Sequence, residues 1–212
     1  MREQELKLTA RNGATLEDIA ACDLVQALHT GTANGARRQI GRYYDTESRA
    51  LEARYCALRS RIQGAGFMAA FKGRGQIVDG LSVREELECQ VEGWLDHTDD
   101  LPAGALKDRV LDILEQPAPL FCTVETDIHR TTLNLESAGS EIEMVLDAGW
   151  IRGGERAHQI FEIELELKSG DIGPVMAIGR KLQERYDLVP STHTKHQIGL
   201  GLLGLERELS HG

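Results

Sequence analysis

Residues 161 to 168 read Phe161-Glu162-Ile163-Glu164-Leu165-Glu166-Leu167-Lys168. Side chains alternate along an extended chain, so three carboxylates and one ammonium share one face while Phe161, Ile163, Leu165 and Leu167 share the other. Four apolar residues in step must meet a core, which makes the segment a strand with one buried face. The stretch Glu141-Ile142-Glu143-Met144-Val145-Leu146-Asp147 repeats the pattern, with Glu141, Glu143 and Asp147 opposite Ile142, Met144 and Leu146. A third, shorter strand at the N-terminus sets Glu3, Glu5 and Lys7 against Leu6 and Leu8. Taken singly, each charged face is what the solvated side of an antiparallel sheet presents.

The basic residues shift that reading. Arg59 and Arg61 share one face of a strand over 57–62, opposite Leu58 and Ile62, and Lys72, Arg84, Arg130 and Lys168 fall in other extended segments. Acid from three strands and base from several others is the distribution expected of one shared polar interior. A closed barrel makes them converge, with the usual arrangement inverted: apolar side chains point outward beneath amphipathic helices, and charged ones point into a wet lumen. Carboxylates alone would repel one another, as would bases alone. Together with divalent cations they suit a polyanion such as a chain of phosphates.

The rest of the chain supplies the remaining parts. Thr15 with Asp18 resembles a capping box, and Leu16, Ile19, Ala20, Leu24 and Leu28 at helical spacing predict one helix over 15–28. A strand over 39–45, a short helix over 48–53 and a hairpin pairing 67–72 with 83–91 follow. Leu106, Val110, Ile113 and Leu114 predict a helix within 101–116, closed by Pro117 and Pro119. Three strands over 121–136, 140–147 and 160–168 form a meander, separated by Ala138-Gly139 and by a loop from Gly149 to Gly154. A last helix spans 172–186 and begins at or after Pro174; the conformation beyond Pro190 is not read. With no Pro-, Ser- or Gln-rich linker, residues 1–212 are expected to form a single α+β domain, a closed or nearly closed antiparallel barrel of about eight strands with helices packed outside.

Composition limits the function classes. The 212 residues carry 24 Lys and Arg against 34 Asp and Glu, a net charge of −10, which argues against a nucleic-acid coat or a basic membrane-surface helix. No apolar run is long enough to span a membrane and the N-terminus lacks a signal-peptide core, so a cytoplasmic protein is expected. Cys22, Cys56, Cys89 and Cys122 are scattered without a paired motif and are read as reduced packing residues. The seven histidines show no metal-ligand spacing. Gly73 to Gly75 is a turn rather than a phosphate loop, because no GK[ST] and helix follow it.

Glu3-Gln4-Glu5-Leu6-Lys7 matches the ExExK signature of the CYTH superfamily, the triphosphate tunnel metalloenzymes. Tyr43-Tyr44-Asp45-Thr46, Leu58-Arg59-Ser60-Arg61, Phe71-Lys72-Gly73, Arg84-Glu85-Glu86-Leu87-Glu88, Arg130-Thr131, Glu141-Ile142-Glu143 and the stretch from Glu162 to Gly170 occur in that family's order. The resemblance covers essentially the whole chain and is strongest to bacterial inorganic triphosphatases, in which a helical, histidine-rich CHAD domain often follows; none is read here. One segment departs from the family's pattern. Where related bacterial proteins carry a Ser-Lys-x-x-Arg-Gly-Tyr-like run, this chain has Thr194-Lys195-His196-Gln197-Ile198-Gly199-Leu200, keeping the lysine without the arginine and tyrosine.

The resemblance implies metal-dependent hydrolysis of inorganic triphosphate to diphosphate and orthophosphate. Glu3, Glu5, Glu164 and Glu166 would hold one or two Mg²⁺ or Mn²⁺ ions, and Lys7, Arg59, Arg61, Lys72, Arg84, Arg130, Lys168 and Lys195 would contact phosphate. Glu3, Glu5, Lys7 and Glu166 are the expected catalytic set. Glu141, Glu143 and Glu162 serve charge balance as readily as coordination, Asp147 falls near a strand end, and no general base is assigned. Glu86 and Glu88 share a face with Arg84, which they would stabilise. Hydrolysis of thiamine or nucleoside triphosphates, cyclisation of ATP, and non-catalytic polyphosphate binding stand as alternatives. The expected partner is a small triphosphate-bearing molecule, not nucleic acid or membrane, and a homodimer through an outer barrel wall is compatible with the pattern.

Overall fold

A computed structural model describes residues 2–31 and 34–205. The strands are β1 (Arg2–Thr9), β2 (Asn34–Asp45), β3 (Ala57–Gln63), β4 (Gly66–Lys72), β5 (Gln76–Val78), β6 (Leu81–Val91), β7 (Phe121–Ser137), β8 (Ser140–Gly153), β9 (Arg156–Ser169) and β10 (Val189–Pro190). The α-helices are α1 (Gly13–Ala21), α2 (Asp23–Leu28), α3 (Ala105–Leu114), α4 (Ile172–Arg185) and α5 (Lys195–Leu202). All strand pairs are antiparallel, in the order β10-β1-β9-β8-β7-β2-β3-β4-β6-β5. β1 pairs with β6 as well as β9, through Arg2↔Glu85 to Leu6↔Leu81, which closes eight strands into a barrel. β5 and β10 lie outside the ring as short edge strands.

The barrel is inverted as its alternation requires. Leu6 and Leu8 of β1, Ile142, Met144 and Leu146 of β8, and Ile163 and Leu165 of β9 point outward and are buried under α1, α2 and α4 through Leu16, Ile19, Val25, Val175, Ile178 and Leu182. On the opposite side Leu58, Ala69 and Phe71 meet Leu106 and Val110 of α3. The charged faces thereby turn inward. A third apolar cluster lies inside the barrel, where Tyr43, Val124, Ile128, Ile151 and Ile160 pack against Leu200 of α5, together with Ile198 and Leu202. This cluster closes one end of the lumen.

Several expected boundaries differ. The first helix divides at Cys22, whose extended backbone separates α1 from α2, and Asn12 rather than Thr15 is the cap, its side chain accepting from the Thr15 backbone N–H. The short helix over 48–53 reduces to a 3₁₀ turn over Glu52–Arg54. α4 begins before Pro174, which falls in its first turn where no N–H is required. The loop expected from Gly149 to Gly154 is strand almost throughout: β8 runs to Gly153, and Gly154 with φ +59° makes the turn. Gly149 and Gly153 are glycines of close approach, since a Cβ at Gly149 would lie 2.2 Å from the Asp127 carbonyl and one at Gly153 2.4 Å from that of Gly199. All four cysteines are free, but Cys122 is exposed and so is not a packing residue. Among the described residues no helix is long and apolar enough to cross a membrane.

Candidate active site

Strand register brings the charged faces together in a cavity of about 420 Å³. Glu5 lies opposite Glu166, Lys7 opposite Glu164, Glu143 opposite Glu166, Asp147 opposite Glu162 and Arg130 opposite Asp147. Across β2 and β3, Tyr43 faces Arg59 and Gly41 faces Arg61. In the ring of eight strands β3 stands four places from β9, directly across the lumen. An acidic wall from β1, β8 and β9 therefore faces an arginine wall from β3. Glu3, Glu5, Lys7, Arg59, Arg61, Lys72, Arg84, Arg130, Glu164, Glu166, Lys168 and Lys195 all line this cavity.

The floor is a dense ionic network. Lys7 Nζ donates to Glu164 Oε1 at 2.6 Å, and Arg130 grips Asp147 through Nε and Nη2 at 2.8 and 2.6 Å. Lys195 donates to Glu162, to Glu164 at 2.8 Å and lies 3.0 Å from Asp147. Burial opposes charge on all of these groups, and opposite charges prevail at all of them but Glu162. Lys7 and Lys195 are held above the usual ammonium range by their carboxylates, while Lys195, Lys7 and Arg130 hold Glu164 well below the usual carboxylate range. Arg130 and Lys195 hold Asp147 low against its burial, whereas burial dominates at Glu162 and pushes it up. Lys7 and Lys195 thus spend their ammonium groups on carboxylates. Asp147 is a full member of this floor because β8 continues past it; its parity with Glu143 was the sequence signal.

Toward the open end, Arg84 donates to Glu3 and Glu5, both at 2.7 Å, and Lys72 contacts Glu3 at 3.0 Å and Glu86 at 2.8 Å. Lys168 bridges Glu143 at 3.1 Å and Glu166 at 2.8 Å. Glu166 remains burdened: burial, with Glu3 and Glu143 adding to it, raises its pKa above the ordinary carboxylate value despite Lys168. Glu86 pairs with Lys72 and Glu88 with Arg61, so they do more than support Arg84.

The arginine wall carries the opposite burden. Arg59 has no carboxylate within ion-pair distance among the described residues, and its buried Nε lacks a hydrogen-bond partner. Burial and the adjacent Arg59 push the Arg61 guanidinium down to about 10, although Glu88 lies 3.2 Å away. Burial opposes the Arg59 charge while Tyr43 and Glu86 support it from a distance; what its guanidinium lacks is a direct partner, which an anion in the lumen would supply.

Tyr43 and His196 stack with ring centroids 4.8 Å apart, and sequence reasoning missed both. A lone histidine in an unread segment gives no signal of such a contact. Burial pushes the His196 pKa from 6.5 down to about 4, so its imidazole stays neutral across physiological pH. A depressed folded-state pKa means that only the unfolded chain takes a proton between those values. Stability from this group is therefore complete above about pH 6.5 and is lost toward pH 4, by about 2 to 3 kcal/mol. Urea midpoints of the parent and His196→Phe, which keeps the stack, should diverge on neutral-to-acid titration, the variant losing less stability; parallel titrations would refute this assignment.

The cavity's order, ExExK first and the acidic β9 last, is also a family order: the CYTH domain pattern matches residues 1–197. The chain belongs to the CYTH family. An inorganic triphosphatase of Haemophilus influenzae is 30% identical over 172 residues, which is 79% of this chain and 46% of that protein. This CYTH chain thus spans about half the length of that relative. Among solved structures, a proposed adenylyl cyclase from Hippeastrum described as having a dominant triphosphatase activity superposes with a TM-score of 0.69 at 19% identity, covering 99% of this chain and 100% of that one. A proposed adenylate cyclase from Bacillus halodurans gives 0.52 at 18% identity, covering 91% and 94%. At these identities the two structures share the CYTH fold.

The donor set fits a hard divalent cation. Glu3, Glu5 and Glu166 offer only carboxylate oxygen from neighbouring strands, and the burden on Glu166 is the kind a cation removes. Glu164, expected alongside them, is paired with Lys7, Lys195 and Arg130 and lies with Asp147 and Glu162 in a second acidic cluster.

Proposed function

We propose that this chain is a cytoplasmic, single-domain triphosphatase that cuts inorganic triphosphate to diphosphate and orthophosphate with the help of Mg²⁺ or Mn²⁺. The observation that carries the reading is the opposition of two walls: on β3 Arg59 lacks a direct anionic partner among the described residues and Arg61 is pushed down, and on β9 Glu166 is pushed up. A substrate combining a polyanion with a divalent cation satisfies both at once. Triphosphate has that chemistry, and the triphosphatase relative supports the choice.

Arg59 and Arg61 would grip non-bridging phosphate oxygens, with Lys72, Arg84, Arg130 and Lys168 flanking the chain of phosphates. Glu3, Glu5 and Glu166 would hold the ion, which supplies neutralisation of phosphate charge and a more acidic bound water. The basic side chains stabilise the negative charge that gathers on the departing diphosphate, and the closed lumen strengthens each contact by excluding bulk water. Lys7 and Lys195 keep the floor rigid through Glu162, Glu164 and Asp147.

Inorganic rather than organic triphosphate is favoured by what the walls lack. The aromatic rings lining the cavity are Tyr43 and His196, and they are stacked on each other at its closed side. Trp94 instead lies beneath Arg42 and against Phe67, while Trp150 faces outward and is 41% exposed. No aromatic platform for a base or thiazole ring is offered among the described lining residues. Phosphate-release assays with Mg²⁺ or Mn²⁺ should give a higher kcat/KM for inorganic triphosphate than for ATP or thiamine triphosphate. Equal rates on all three would remove the inorganic preference, and tight binding of triphosphate without release would favour a binding module.

A further inference from the structure

The lumen holds two acidic groups whose cations are placed differently. In the floor, oxygens of Asp147, Glu162 and Glu164 all lie within 4.8 Å of one another, the spacing of a metal-binding cluster. That cluster already contains a cation. Lys195 Nζ contacts all three carboxylates, at 3.0 Å from Asp147 and 2.8 Å from Glu164, besides its bond to Glu162. With Lys7 on Glu164 and Arg130 on Asp147 and Glu164, three carboxylates meet three cations. A divalent ion would need the same oxygens at about 2.0 to 2.6 Å and would meet an ammonium in its place.

The upper group is different. Glu3, Glu5, Glu86, Glu143 and Glu166 are contacted by Lys72, Arg84 and Lys168, and Lys7 reaches up from the floor to Glu5 at 3.4 Å. Among the described residues no single cation touches Glu3, Glu5 and Glu166 together, so a divalent ion can take between them the place that Lys195 takes in the floor. Lys195 reaches the floor because it opens α5, whose Thr194 cap receives the Gln197 N–H and fixes the first turn over the lumen.

We propose that the chain takes one divalent ion, in the upper group, and that Lys195 fills the floor as a tethered cation in the position of a second. This rests on the metal-assisted reading above and specifies its ion count.

Titrating the metal-free protein with Mn²⁺ in the absence of triphosphate, and following free Mn²⁺ by electron paramagnetic resonance, tests it. The parent should bind one Mn²⁺ per chain, and Lys195→Met should bind two. Two ions on the parent would overturn this inference while leaving the hydrolytic reading intact; none would overturn both. One ion on a Lys195→Met protein with unchanged far-ultraviolet circular dichroism would likewise overturn it. If that variant does not fold, the parent count decides, with Lys195→Gln as the second variant: its neutral amide should also admit a second ion, and retention of only one would count against the proposal.

Discussion

Replacing Glu166 with glutamine should lower triphosphate hydrolysis by at least about 100-fold while leaving the metal-free protein as stable as the parent or slightly more so. Changes beyond the ligands themselves cost metal sites roughly 10- to 100-fold in affinity or activity, so loss of a direct ligand sets that range as a lower bound. The stability half follows from Glu166's surroundings. Burial, Glu3 and Glu143 all disfavour its charge, and only Lys168 favours it. Neutralising the group removes its repulsion with Glu3 and Glu143. A folding-critical carboxylate would behave in the opposite way: breaking a buried pair by removing one partner costs about 3 to 5 kcal/mol. Steady-state kinetics, Mn²⁺ titration and a thermal melt on one preparation separate these outcomes. Unchanged kcat/KM, or lost activity accompanied by a large fall in melting temperature, would remove Glu166 from the ion site.

Arg59→Met is expected to behave as the counterpart from the other wall. Methionine fills the linear stem but cannot neutralise phosphate, so kcat/KM should drop by about 10²- to 10³-fold, the range for losing one preorganised charge-stabilising donor. Folding should suffer little, because Arg59 has no ion-pair partner among the described residues to abandon and its departure relieves Arg61, now held down to about 10. Arg130→Met offers the contrast. Its guanidinium grips Asp147 at 2.6 and 2.8 Å and reaches Glu164 at 3.3 Å, so its removal should destabilise the protein as well as slow it. Equal stability losses in the two variants would mean that the walls are not poised for an anion.

The barrel was legible because its evidence is periodic. Alternation over 161–168 and 141–147 indicated which residues face inward, and acid and base on separate strands pointed to one shared polar interior. The failures came where periodicity says nothing. Gly149 and Gly153 read as loop residues because glycine marks turns, whereas here it permits two backbones to approach within a strand. Cys22 gave no sign of breaking a helical pattern that continues through it. α5 was unread because Lys195, His196, Gly199 and Leu200 are all buried and so lack a two-sided pattern. The roles of single charges were harder still. Alternation places Glu164 and Glu166 on one face, but only the third dimension shows that three cations surround the former and one the latter.

The apolar end packed around Leu200 has a consequence for traffic. The base is packed with apolar side chains, which leaves a charged ligand no polar route through that side. Under the proposed reaction, orthophosphate and diphosphate would have to retreat past the same rim of Glu88, Glu143 and Lys168 before another triphosphate entered, which would make departure of the larger fragment a natural brake on turnover.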